Sequence, residues 1–149
     1  MKLLLFSLSA TVFLFNLYAA ATLFLGIRRM RSLKDVAPLP PGTGPMVSII
    51  VPACNEAQTI APALQTLLAL DYEPLEIIVI NDRSTDRTGE VLAAIQKEHP
   101  RLQVHEIREL PGGWLGKNHA LHQGARLASG DYLLFTDADI LFEKSTLAR

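Results

Sequence analysis

Asp137 and Asp139 stand with only Ala138 between them, just after the apolar run Tyr-Leu-Leu-Phe at 132–135. Carboxylates at i and i+2 point to the same side of an extended chain and can reach one ligand. Left without a counter-charge they repel each other. A hard divalent cation, Mg2+ or Mn2+, removes that repulsion and keeps coordination positions open for phosphate oxygens. The plain alternative is a solvated strand end entering a turn. The apolar run itself is of the kind that forms a strand buried on both faces.

Such residues act only where a fold holds them. From 47 onward the chain alternates strand and helix patterns, predicting strands over 47–51, 75–80, 102–107 and 132–135. The first is a β-branched run closed by Pro52. Helices are predicted over 60–70, 86–98 and from about 117 to 128. Thr59 is the expected N-cap of the first helix and Asp86 that of the second, while Pro62 is tolerated in a first turn. The fold class is therefore α/β, a doubly wound and mostly parallel sheet. Ligands of such sheets bind outside the carboxyl ends of the strands.

Every predicted strand runs out into polar residues at that edge: Asn55 and Glu56, then 81–86, then Lys117, then Asp137 and Asp139. Asn55 has a plain alternative as a helix cap. Asp82 lies four residues ahead of Asp86, so capping does not account for it and a ligand contact does. Lys117 opens a helix, where a cation opposes the dipole, and an anionic ligand would explain it. Cys54 has no evident activating partner and reads as a packed thiol. His119 and His122 lack a third metal ligand and read as solvated or packed. Trp114, in a glycine-flanked loop, lines either a ligand or a membrane-facing edge. No Gly-x-Gly-x-x-Gly follows the first strand, and Pro111 and Asn118 break the P-loop pattern that ends at Gly116-Lys117.

The net charge of −1 hides an asymmetry. Lys2, Arg28, Arg29, Arg31 and Lys34 precede the first acid, Asp35, and the remaining nine bases face all fifteen acids, a net of −6 from Asp35 onward. A body that acidic, without a basic stripe, argues against nucleic acid as a partner. Residues 3–27 carry no charge and as a helix would span about 38 Å, enough to cross a bilayer with some tilt. Ala19-Ala20-Ala21 resembles a signal-peptide cleavage site, but the apolar run continues and meets Arg28-Arg29-Met30-Arg31, a stop-transfer pattern. The expectation is one uncleaved anchor with its basic flank over 1–34 and a cytoplasmic body behind it. Residues 35–46 read as a Pro/Gly linker, and 47–149 as one domain. The single cysteine excludes an internal disulfide.

Taken in order, Val-Pro-Ala-Cys-Asn-Glu at 51–56, Asn-Asp-Arg-Ser-Thr-Asp at 81–86, Gly-Lys-x-x-Ala at 116–120 and Asp-Ala-Asp at 137–139 resemble the nucleotide-sugar half of an inverting family 2 glycosyltransferase of the GT-A fold. The resemblance implies that Asn55, Glu56, Asp82, Lys117 and Asp137 hold a nucleotide-diphosphate sugar. It places Asp137 and Asp139 on a divalent metal, Mg2+ or Mn2+, at the diphosphate. Pro-Gly-Gly-Trp-Leu-Gly-Lys at 111–117 with Gln123-Gly124 is similar to membrane-anchored members associated with hopanoid and carotenoid synthesis, which implies a lipid or isoprenoid acceptor. Arg149 falls ten residues after Asp139, so the acceptor half with its general base is expected outside this chain, leaving 132–135 as an uncovered apolar edge. Two rivals stand beside this reading. A nucleotidyltransferase would carry a Gly- and Lys/Arg-rich loop after the first strand, which 52–56 lacks. A membrane-tethered nucleotide-binding module is the non-enzymatic alternative.

Overall fold

The structure is a computed structural model describing residues 1–30, 32 and 35–149. Arg31 and Lys34 of the basic flank lie outside the described residues. The chain divides into two compact units, Met1–Ala37 and Pro38–Arg149.

The first unit is α1 (Lys2–Arg29), which buries none of its side chains within the protein. Four of its polar side chains bond back along the helix itself. The Ser7 and Thr22 hydroxyls donate to carbonyls three residues back, and Thr11 and the Asn16 amide to carbonyls four back. A helix that satisfies its own polar groups and is apolar all round suits hydrocarbon. At 28 residues it is long and apolar enough to cross a membrane.

The second unit is built on β1 (Val47–Ala53), α2 (Ile60–Leu68), β2 (Leu75–Asp82), α3 (Thr88–Glu98), β3 (Leu102–Ile107), α4 (Gly116–Leu127) and β4 (Tyr132–Phe135). The four strands form one sheet in the order β3-β2-β1-β4, every pair parallel. The doubly wound α/β expectation holds. β1 and β2 are central, and their alternate residues serve opposite faces. Ile49, Val51, Ile77 and Val79 meet Ile60, Leu64 and Leu67 of α2 and Leu92 of α3, whereas Ile78 and Ile80 lie under Ala120 of α4. Burying each such aliphatic side chain contributes about 1.5–3 kcal/mol. Small residues let α4 approach closely: a Cβ on Gly124 would overlap the Ile50 side chain.

Several boundaries differ from the sequence reading. β1 continues through Pro52 to Ala53. The Ile50 carbonyl accepts from Thr136 on the β4 side, so the N–H that Pro52 lacks would face the same side, beyond the last β4 partner at Phe135. No ladder bond is lost there. α2 stops at Leu68 rather than 70, because the chain turns to bury Leu70 and Tyr72. The Tyr72 hydroxyl donates to the Pro45 carbonyl, and its ring lies where a Cβ on Gly44 would sit. Thr59 takes the N-cap position without capping; its hydroxyl turns to Glu56 instead. α3 begins at Thr88 rather than 86, yet Asp86 still accepts from the Thr88 N–H at 2.9 Å.

β4 is not buried on both faces. It pairs only with β1, and Tyr132, Leu133 and Phe135 are 63%, 42% and 47% exposed.

At the amino ends of the strands a polar knot fixes register. Glu76 accepts from the Ser48 hydroxyl, from the N–H and hydroxyl of Ser129, and from the Gln103 amide. Ser48 in turn accepts from the Gly130 N–H at 2.8 Å, and a Cβ on Gly130 would overlap Ser48 and the Met46 carbonyl. Burial opposes ionisation of Glu76, but the hydrogen bonds from Ser48, Ser129 and Gln103 together hold its carboxyl below the ordinary glutamate range.

Candidate functional site

The carboxyl ends of β1, β2 and β4 and the amino end of α4 enclose a cleft of about 350 Å3. Glu56, Asp82, Lys117, Asp137 and Asp139 all line it, so four segments separate in sequence meet at one place. Asn55 does not line it.

The loops after β1 and β2 are braced against each other by side chain-to-backbone bonds. The Asn55 amide oxygen accepts from the Thr85 and Asp86 N–H groups at 2.8 and 3.3 Å, and the Asn55 N–H donates to the Ser84 hydroxyl. The Glu56 N–H donates to the hydroxyl of fully buried Thr88, and the Ala57 N–H donates to Asp86. Asn55 achieves this with φ 58°, a left-handed conformation that asparagine tolerates. Its work is to hold Glu56 and the 84–86 turn in place. Hydrogen bonds from the Thr88 side chain and from the Thr88 and Ala57 backbone hold the Asp86 carboxyl below its ordinary range, against a smaller opposing effect of burial.

Asp82 ends β2 and is 3% exposed. Its two oxygens accept from Arg83 Nε at 2.8 Å and Nη2 at 3.0 Å, a bidentate pair between neighbours. Arg83 reaches back because its own φ is 53°, costing about 1 kcal/mol. Its N–H is fixed on the Ile107 carbonyl. The Asp82 carboxylate holds the Arg83 guanidinium above the ordinary arginine range. Sequence reasoning passed over Arg83, although it also lines the cleft. Gly116 closes this corner: a Cβ there would lie 2.6 Å from Arg83 Nη2 and 2.8 Å from Asp82 Oδ2. Only glycine lets the start of α4 come so near the pair.

Lys117 follows in the first turn of α4 and donates to Asp137 Oδ1 at 2.6 Å. Asp139 has no hydrogen-bond or ion-pair partner among the described residues. Glu56 accepts from the Thr59 hydroxyl. Four carboxylates therefore face one arginine and one lysine, leaving the cleft at −2. By itself that charge repels a diphosphate; a dication would cancel it.

Two oxygen-ligand carboxylates on one strand end suit Mg2+ or Mn2+ if phosphate oxygens complete the shell. Among the described residues no cluster of three or more His, Cys, Asp or Glu could hold a metal alone. The donor set thus fits a cation whose remaining ligands come from outside the chain. His119 and His122 are engaged otherwise: the Trp114 ring meets them at 5.3 and 5.0 Å, and His119 is buried. Cys54 is exposed and lines the cleft, contrary to the packed thiol expected from sequence. It sits past the last buried residue of β1, Ala53, where the chain leaves the sheet.

Comparison with known proteins identifies the family and the fold. The profile described as "Glycosyl transferase family 2" matches residues 48–149. Poly-beta-1,6-N-acetyl-D-glucosamine synthase of Staphylococcus aureus (strain COL) is 37% identical over 98 residues, covering 66% of this chain and 23% of that protein. The mannosyltransferase PcManGT from Pyrobaculum calidifontis, solved in complex with GDP-Man and Mn2+, superposes with a TM-score of 0.63 at 38% identity, over 76% of this chain and 33% of that one. S. aureus TarS 1-349 in complex with UDP-GlcNAc gives a TM-score of 0.55 at 31% identity, over 68% of this chain and 29% of that one. The chain spans about a quarter of the length of the curated relatives it matches.

Proposed function

The chain belongs to glycosyl transferase family 2, and from that premise we propose that its cleft binds a nucleoside-diphosphate sugar together with Mg2+ or Mn2+, for inverting transfer of the sugar to a lipid or isoprenoid acceptor. The observation that carries this is the convergence of Asp82, Lys117, Asp137 and Asp139 on one cleft of net charge −2. The GDP-Man, UDP-GlcNAc and Mn2+ named for the solved relatives support the choice of ligand.

In this reading Glu56 and the Asp82–Arg83 pair hold the nucleoside. Asp82 is rigid because both its oxygens are already engaged by Arg83, which orients its remaining lone pairs toward N–H or hydroxyl donors of base and ribose. Asp137 and Asp139 hold the cation at the diphosphate, and Lys117 meets a phosphate oxygen. The bound cation supplies Lewis-acid neutralisation of the departing diphosphate. An acceptor hydroxyl oxygen bonds to the anomeric carbon from the opposite face as the carbon–phosphate oxygen bond breaks, and a general base takes the hydroxyl proton. The apolar α1 supports an acceptor presented at a membrane, and Arg28 and Arg29 at its end support a cytoplasmic body.

The test is calorimetric titration of the full chain in detergent micelles with UDP and GDP, with Mn2+ or with chelator. One of the two should bind only with Mn2+, and Asp139→Asn should weaken that binding at least about tenfold, the size of one lost charge-assisted contact. Metal-independent affinity, unchanged by Asp139→Asn, would falsify the reading.

A further inference from the structure

We propose that Lys117 is a built-in counter-ion that competes with the divalent cation for Asp137, so that cation and nucleotide each bind poorly alone and well together. This rests on the donor-site reading above and adds to it a mechanism of coupling.

Lys117 is the second residue of α4, where the partial positive charge of the helix amino end makes a cation unfavourable. Asp137 offsets that cost in the free protein by accepting from the ammonium at 2.6 Å, across 20 residues of sequence. The pair spans the cleft from α4 to the end of β4, and its side chains are 60% and 55% exposed, so both remain within reach of a ligand. Arg83 cannot exchange partners so readily, because its bidentate contact is to an almost fully buried Asp82.

A cation arriving alone must therefore displace Lys117 from Asp137, and then share the site with the displaced ammonium. Among the described residues, Asp139 is the cleft aspartate left without a hydrogen-bond or ion-pair partner. A diphosphate arriving alone finds Lys117 already taken and a cleft of like charge. When both arrive, the lysine moves from the carboxylate to a phosphate oxygen while the cation takes the carboxylate. In that exchange Lys117 and Asp137 each gain a new partner of opposite charge. Coupling of this kind is reciprocal: whatever factor the nucleotide adds to cation affinity, the cation adds to nucleotide affinity.

Lys117→Met should therefore bind Mn2+ alone more tightly than the wild type. The gain expected is about two- to fivefold, the scale of an exposed ion pair. The factor by which UDP or GDP raises Mn2+ affinity should shrink in the same variant. Lys117→Arg should stay close to the wild type on both counts. In an Asp137→Asn background the gain from Lys117→Met should be smaller than in the wild type, because the contested carboxylate is gone and only the repulsion between ammonium and cation is relieved. Free Mn2+ is counted by its paramagnetic resonance signal, with no turnover needed. Unchanged or weaker Mn2+ binding by Lys117→Met overturns the counter-ion while leaving the donor site standing. A wild type that binds neither UDP nor GDP with Mn2+ present overturns the donor site, and the coupling with it.

Discussion

Single residues in this cleft act through what they exclude as much as through what they touch. Gly116 is the clearest case, since a methyl group there would enter the space of the Asp82–Arg83 pair. The atoms in the way are side-chain ends, so the fold can yield where the pair cannot keep its geometry. Gly116→Ala should shift the melting temperature by only a few degrees. It should weaken nucleotide binding about tenfold, the size of one charge-assisted hydrogen bond, as read by the same calorimetry. A large loss of stability with affinity intact would contradict this. Asp137 and Asp139 were legible in the sequence because two aspartates directly after an apolar run mark the carboxyl end of a strand, although β4 stops at Phe135 and Asp139 lies in the turn beyond it. Arg83 and the bracing role of Asn55 were not. Both depend on positive φ and on partners fixed by the fold, up to 31 residues away for Asn55.

Elements were read well where periodicity is strong and poorly where tertiary contacts decide. β3 and β4 were placed to the residue, since each is a short run bounded by turn formers. β1 passing through a proline, and α2 ending early to bury Tyr72, are decisions of neighbouring segments. The register of β1, β2 and β4 depends on Glu76, and this gives a test at the level of the sheet. Glu76→Gln removes an ionised acceptor of several hydrogen bonds and should cost about 1–2 kcal/mol at pH 7, discounted for partial exposure. The native carboxyl is held below the ordinary range, so the unfolded chain binds more protons as acid is added. The stabilisation is complete above the ordinary glutamate value and is lost as pH falls through the lowered native one. Urea unfolding should show the gap between wild type and variant closing in acid. A gap that widened there would assign Glu76 the opposite role.

For the molecule as a whole, the tether and the sheet set separate expectations. Arg28 and Arg29 end α1, and Arg31 and Lys34 follow in sequence. A reporter fused after Arg149 should therefore be active only in its cytosolic form. Activity of an exported reporter would reverse the topology and separate the cleft from the cytosolic pool of nucleotide sugars. Because all four strands run the same way, the sheet has two unlike poles. The knot of Ser48, Glu76 and Ser129 sits at one, and Asp82, Asp137 and Asp139 at the other, about 20 Å apart along β2 by the rise of a strand. At that separation energetic effects are expected to be additive to within about 0.5 kcal/mol. A double variant, Glu76→Gln with Asp139→Asn, should show the unfolding free energy of the first and the nucleotide affinity of the second, with no cross-term in either. Evolution could then retune the ligand without renegotiating the scaffold, and a stabilising substitution at the far pole would give active-site variants tolerance at no loss of affinity.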